Sequence, residues 1–170
     1  MNLLIVDDEY LVVEEVVTVT DWELLGITEI YSATNAVSAV RILNEKKIDI
    51  MICDIEMPQT DGLELSKKAK ENFPDLEIVM LTSHAEFNYV RNALRYGCYD
   101  YLLKPVMEDD IIKVMKNLVT KIERERHQAQ LQEEGIVWNQ LKPVWKEKYW
   151  EEMLRGLRDD PNRECEEYEE

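Results

Sequence analysis

Four stretches of the chain end in side chains suited to holding a phosphoryl group: Asp7-Asp8-Glu9, Asp54, Thr82-Ser83-His84 and Lys104-Pro105. If the apolar runs before Asp7 and Asp54 lie side by side, the carboxylates of Asp7, Asp8 and Asp54 converge. Carboxylates that close repel and raise one another's pKa. Either one acid stays protonated, or a divalent cation sits among them. Hard oxygen donors favour Mg2+ or Ca2+. An incomplete set of two or three carboxylates plus waters suits Mg2+, because positions remain for phosphate oxygens. Thr82 adds a hydroxyl and Lys104 an ammonium. Phosphoryl transfer needs mainly positioning and charge stabilisation, and a carboxylate acting as in-line nucleophile becomes an acyl phosphate. Asp54 is the candidate nucleophile.

The elements that must position these groups are visible as short apolar runs at Leu3–Val6, Ile30–Ala33, Ile48–Cys53, Ile78–Leu81 and Tyr101–Leu103. Between them the apolar residues take helical spacing, as in Ala36, Val37, Ala39, Val40 and Leu43, or Leu63, Ser66, Ala69 and Phe73. The same spacing joins Phe87, Val90, Leu94 and Gly97, and a last helix opens near Met107 with Ile111, Met115, Leu118 and Ile122. Residues 12–19 are rich in Val and Thr, which favours strand. Their paired apolar positions around Glu14-Glu15 favour helix, and spacing outweighs weak propensity. Strands alternating with helices predict an α/β fold, a parallel sheet covered on both faces. In such sheets the ligand site lies beyond the carboxyl ends of the strands. Asp54 therefore closes a buried run because that end faces the cleft. Met57-Pro58 then stops the strand, and Asp61-Gly62 opens the next helix.

The balance of 36 acidic against 20 basic residues gives a net charge of −16. Nucleic-acid affinity comes largely from Lys and Arg neutralising phosphates, so this chain is not expected to grip DNA by itself. Leu3–Val6 is too short for a signal-peptide core, and no apolar run reaches membrane-spanning length. Cys53, Cys98 and Cys165 form no Cys-x-x-Cys pair, which fits a reducing, cytoplasmic setting. Trp22 reads as packing. Lys67, Lys68 and Lys70 read as a solvated helix face, and Asp7-Asp8-Glu9 taken alone as a helix cap.

Over residues 1–120 the chain resembles the receiver domain of two-component response regulators. The resemblance rests on Asp7-Asp8, on Asp54 with Met57-Pro58 and Gly62, on Thr82, and on Tyr101 with Lys104-Pro105. It implies a doubly wound, flavodoxin-like sheet of order 2-1-3-4-5 with five helices. It implies that Asp54 accepts a phosphoryl group from a sensor histidine kinase. Asp8, Asp54 and the backbone carbonyl of Glu56 would ligate Mg2+ directly, and Asp7 through water. Lys104 would pair with the phosphate across a cis bond to Pro105, and Thr82 and Tyr101 would form the switch. The resemblance implies that Glu56 and His84 would tune phosphoryl lifetime, whereas His84 taken alone reads as a surface-loop histidine. Phosphorylation would change the face bearing Tyr89, Arg91, Arg95, Tyr96 and Tyr99 toward self-association, as a homodimer. The rival is a hydrolase of haloacid dehalogenase type, which wants an aspartate where Glu56 stands.

Residues 121–170 read as a helical linker or tail. Met115, Ile122, Ala129 and Ile136 recur every seven residues with Leu118, Glu125 and Gln132 between them, which fits a weak coiled-coil seam and equally a single solvated helix. Beyond Gly135, the stretch from Trp138 to Leu157 is amphipathic and rich in aromatics. It resembles the linker of response regulators that end in an AraC-type helix-turn-helix domain. No such domain follows before the acidic residues 164–170, so this chain is expected to be a piece of a longer transcription regulator. DNA would be met only through the output domain.

Overall fold

A computed structural model describes residues 1–58, 61–83 and 97–132. The chain separates into two compact units, Met1–Ile122 and Glu123–Glu170, and the fold described here is that of the first. Its strands are β1 (Asn2–Val6), β2 (Glu29–Ala33), β3 (Ile50–Asp54), β4 (Glu77–Thr82) and β5 (Asp100–Leu103). Its helices are α1 (Tyr10–Thr18), α2 (Ala36–Glu45), α3 (Gly62–Asn72) and the first part of α4, a helix over residues 108–132 of which 108–122 belong to this unit. A short 3-10 turn spans Glu23–Leu25. Four of the five expected helices thus fall among the described residues. The one expected around Phe87–Leu94 lies outside them, as do the Trp-rich tail and His84.

All strand pairs are parallel, in the order β2-β1-β3-β4-β5. The order and the doubly wound layering match the expectation. Every residue of β3 and β4 is buried, whereas the edge strands β2 and β5 are partly exposed. Strand residues alternate between two cores, as a side-chain period of two requires. Leu3, Ile5, Ile50, Ile52, Val79 and Leu81 point to one face, where Val13 and Val16 of α1 and Ile111, Met115, Leu118 and Ile122 of α4 cover them. Leu4, Val6, Met51, Cys53, Ile78 and Met80 point to the other, under Ala39 and Leu43 of α2 and Leu63, Leu65 and Ala69 of α3. Fully burying one such side chain is worth about 1.5–3 kcal/mol, so both faces contribute.

Local chemistry fixes the helix ends. Asn35 caps α2 by accepting a hydrogen bond from the Ser38 amide at 2.9 Å, and Asp61 caps α3 by accepting from the Leu63 amide at 2.8 Å. Such caps contribute about 1 kcal/mol each. α1 forms in spite of its β-branched residues because Val13 and Val16 are buried. Its last carbonyls are satisfied by Trp22, whose indole N–H lies 3.3 Å from the Val16 oxygen and 3.0 Å from the Val17 oxygen. Trp22 therefore packs, as expected, and also caps.

The residues of the expected seam are divided between core and solvent. Met115 and Leu118 are fully buried and Ile122 is 5% exposed, all in the core under the sheet. Seven residues make two turns of an ordinary helix, so a core-facing stripe mimics a heptad. The first half of the seam is thus spent inside the domain. From 123 to 132 every residue of α4 is exposed, Glu125, Ala129 and Gln132 included. Replacing Leu118 by Ala should lower stability to urea by about 2–5 kcal/mol and leave the elution volume of the folded protein unchanged. A seam residue would behave in the opposite way, dissociating an assembly with little loss of domain stability.

Candidate functional site

The site forms where β1, β3, β4 and β5 end on the same edge. Asp7 follows β1 directly, its amide donating to the Ala33 carbonyl of β2 at 3.1 Å. Its carboxylate is fully buried, and one oxygen, Oδ1, accepts from the Glu9 amide at 3.0 Å. Glu9 itself, the residue before α1, makes no side-chain cap. Asp8 points out and is exposed. Asp54 is the last residue of β3, 3% exposed, on the same side of the sheet as Ile50 and Ile52. Thr82 closes β4, 1% exposed, and its carbonyl accepts from the Lys104 amide at 2.9 Å. That bond sets Lys104 beside the strand-end acids, and the Lys104–Pro105 peptide is cis, as the resemblance implied.

Lys104 is the electrostatic centre of this arrangement. Its Nζ lies 2.7 Å from Asp7 Oδ2 and 3.0 Å from Asp54 Oδ1. Burial raises the pKa of Asp54 above the ordinary carboxylate range. Lys104 opposes the shift, and the neighbouring Asp7 and Asp8 charges add to it. Burial works against the Lys104 ammonium, but the paired Asp7 and Asp54 carboxylates outweigh it and raise its pKa. One ammonium thus faces three acids. Asp7, Asp8 and Asp54 each offer an oxygen within 4.8 Å of the others. Although Asp7 Oδ2 touches Lys104 as an ion pair, it receives no well-aligned hydrogen bond. A buried carboxylate oxygen with spare acceptor capacity, in a set of hard donors, fits a small divalent cation.

The loop after β3 is held by the backbone. The Ile55 amide donates to the Leu81 carbonyl at 3.0 Å, and the Gly62 amide donates to the Ile55 carbonyl at 2.9 Å. Met57 is buried, while Glu56 is exposed. Gly62 does more than open α3. A Cβ there would sit 1.8 Å from the Asp54 carbonyl oxygen and 2.8 Å from its carbonyl carbon. Only a residue without a side chain lets α3 start against the strand that carries Asp54. The sequence marks this position only as an Asp-Gly turn and gives no sign of the close approach.

The other expected residues are distributed unevenly. Asp7, Asp8, Asp54 and Lys104 come together, with Thr82 at the adjacent strand end. Tyr101 is half-buried on β5 opposite Met80 and packs on the α2–α3 core. His84 lies outside the described residues. Lys68 is on a solvated face, pairing with Glu64 at 2.8 Å. Lys70 is not, because its Nζ donates to the Leu76 carbonyl at 2.7 Å and to Glu77. Exchanging Gly62 for Ala should cost about 1–3 kcal/mol of stability and displace Asp54. Urea unfolding and backbone NMR shifts of residues 54–62 would register both changes, and native shifts there would refute the close approach.

Comparison with known proteins follows the same lines. A family model described as the response regulator receiver domain matches residues 3–116. The transcriptional regulatory protein YesN of Bacillus subtilis is 34% identical over 124 residues, 73% of this chain and 34% of that protein. The response regulator SaeR of Staphylococcus aureus is 32% identical over 127 residues, 75% of this chain and 54% of that protein. The match spans from about a fifth to a little over half of the length of the curated relatives. Among solved structures, the REC domain of AraT, a response regulator from Geobacillus stearothermophilus, superposes with a TM-score of 0.69 at 30% identity, over 74% of this chain and 97% of that one. No helix among the described residues is long and apolar enough to cross a membrane. The acid cluster with its lysine stands at the strand ends of a 2-1-3-4-5 sheet, and a family model covers most of the sequence: the chain belongs to the receiver domains of two-component response regulators.

Proposed function

We propose that Asp54 is the phosphoacceptor of this receiver. The observation that carries the reading is the contact of one ammonium, Lys104 Nζ, with both Asp54 and Asp7, in a cluster whose three carboxylates lie within 4.8 Å of one another. An Asp54 carboxylate oxygen attacks the phosphorus of the donor, a phosphohistidine of a sensor kinase. The phosphorus–nitrogen bond breaks, its electron pair leaves with the imidazole, and an acyl phosphate remains on Asp54. Lys104 turns from Asp54 toward the new phosphoryl oxygens, and the Thr82 hydroxyl donates to one of them. Asp8, Asp54 and the Glu56 carbonyl would hold Mg2+, with Asp7 behind them through water. That ion would offset phosphoryl charge and screen the acids from the donor. The chain acts only on itself, as a switch rather than an enzyme with turnover.

Phosphorylation supplies a difference in free energy between two conformations, and no more than that difference can be transmitted. Thr82 and Tyr101, on neighbouring strands, are the pair through which it reaches the surface. The response is self-association, and the output is transcription through a DNA-binding domain outside this chain. Support comes from the transcriptional regulators among the relatives and from their greater length.

Incubation with Mg2+ and a small acyl phosphodonor should add one phosphoryl group by intact mass. Asp54→Asn should abolish the gain and Lys104→Ala should reduce its rate by about tenfold or more. A gain that persists in the Asp54→Asn protein would overturn the assignment. Beryllofluoride with Mg2+ should shift the wild-type chain toward a dimer in size-exclusion chromatography with light scattering. An unchanged mass would remove self-association from the proposal and leave the phosphoacceptor standing.

A further inference from the structure

At the opposite end of the sheet a second ionic group joins both outer layers. Glu77 is the first residue of β4 and only 7% exposed. Its amide donates to the Asp49 carbonyl at 3.0 Å, which fixes its backbone at the start of the strand. One carboxylate oxygen, Oε1, lies 3.3 Å from Lys70 Nζ of α3 and 3.0 Å from Lys121 Nζ of α4. These helices cover opposite faces of the sheet. Lys70 is further tied to the backbone of Leu76 at 2.7 Å. Lys121 lies over the Tyr99 ring, 5.4 Å from its centroid.

The position of Lys121 gives this group its meaning. Ile122 is the last buried residue of α4 and the last of the first unit; residues 123–132 have no buried side chain. Lys121 therefore meets Glu77 where α4 loses its apolar docking face. Apolar contacts alone are non-directional and leave a helix free to slide and roll at its last turn. A buried carboxylate at a fixed strand end is directional and costly to leave unpaired. The exposed Lys68–Glu64 pair, with side chains 64% and 58% accessible respectively, lacks that property.

We propose that Glu77 is a positioning residue that latches the last core-facing turn of α4 against the sheet through Lys121. The latch goes beyond the phosphoacceptor reading and does not depend on it. It is also an interaction distant from the acid cluster, so its loss leaves the strand-end acids and Lys104 in place.

The test is residue-resolved amide hydrogen exchange on the full chain without any phosphodonor, comparing wild type, Glu77→Gln, Lys121→Met, the double variant and Glu64→Gln. Either latch substitution should speed exchange at residues 116–122 by about tenfold, with exchange in β1 and β3 unchanged. The double variant should be no faster than the faster single, and Glu64→Gln should match wild type. Should Glu77→Gln fail to fold, Lys121→Met alone decides, with Lys121→Arg restoring slow exchange. Unchanged exchange at 116–122, acceleration spread over the whole sheet, or additive effects in the double variant would each overturn the latch. Because no phosphorylation enters, a failure of the phosphoacceptor reading leaves this result interpretable.

Discussion

Three carboxylates are held together at the ends of buried strands against their mutual repulsion, with a single ammonium between two of them. This constraint governs the site. In water the acids would separate; here the sheet denies them that freedom, since Asp7 and Asp54 are set by the register of β1 and β3. Burying Asp7 and Asp54 side by side is costly unless opposite charge is brought in. Lys104 brings one positive charge at 2.7 Å and 3.0 Å, which leaves the site short of cation and rich in oriented oxygen. A centre in that condition has the oxygen donors to hold a divalent ion, and the proposed phosphoryl group would share its charge between that ion and the lysine.

The rest of the fold serves to keep those charges in place. Alternation along β1, β3 and β4 divides the apolar residues between two cores, each covered by two of the described helices. The central strands therefore cannot shift by a residue without turning both cores inside out. Gly62 lets α3 begin against the Asp54 carbonyl, so Asp54 is backed by packed backbone rather than by a loop free to move. At the far end, Glu77 receives a lysine from each layer. The strand between Glu77 and Thr82 thus runs from a buried ionic group to the cleft.

Much of this was legible in the residues. The five apolar runs gave the strands to within one or two positions, and the acids, Thr82 and Lys104 just beyond them gave the site, because a parallel sheet gathers its strand ends. Helical spacing at Val12, Val13, Val16 and Val17 outweighed the β preference of those residues, since burying a side chain stabilises more than propensity opposes. What depended on distance between remote segments was not legible. A seven-residue recurrence at Met115 and Ile122 fits both a core-facing helix and a coiled coil, and only the sheet opposite distinguishes them. Lys70 looked like its neighbours Lys67 and Lys68 because nothing in its own helix reveals Glu77. The burial of Asp7 beside the exposure of Asp8 follows from the chain's turn after β1, which two adjacent aspartates do not encode.

Calorimetric titration with Mg2+ addresses the charge imbalance most directly. The account requires one ion per chain, with affinity lost in Asp54→Asn and Asp8→Asn. It also requires tighter binding in Lys104→Met, because the ammonium and the ion compete for the Asp7 and Asp54 oxygens. Absence of saturable binding to the wild-type chain, or weaker binding once Lys104 is removed, would contradict it.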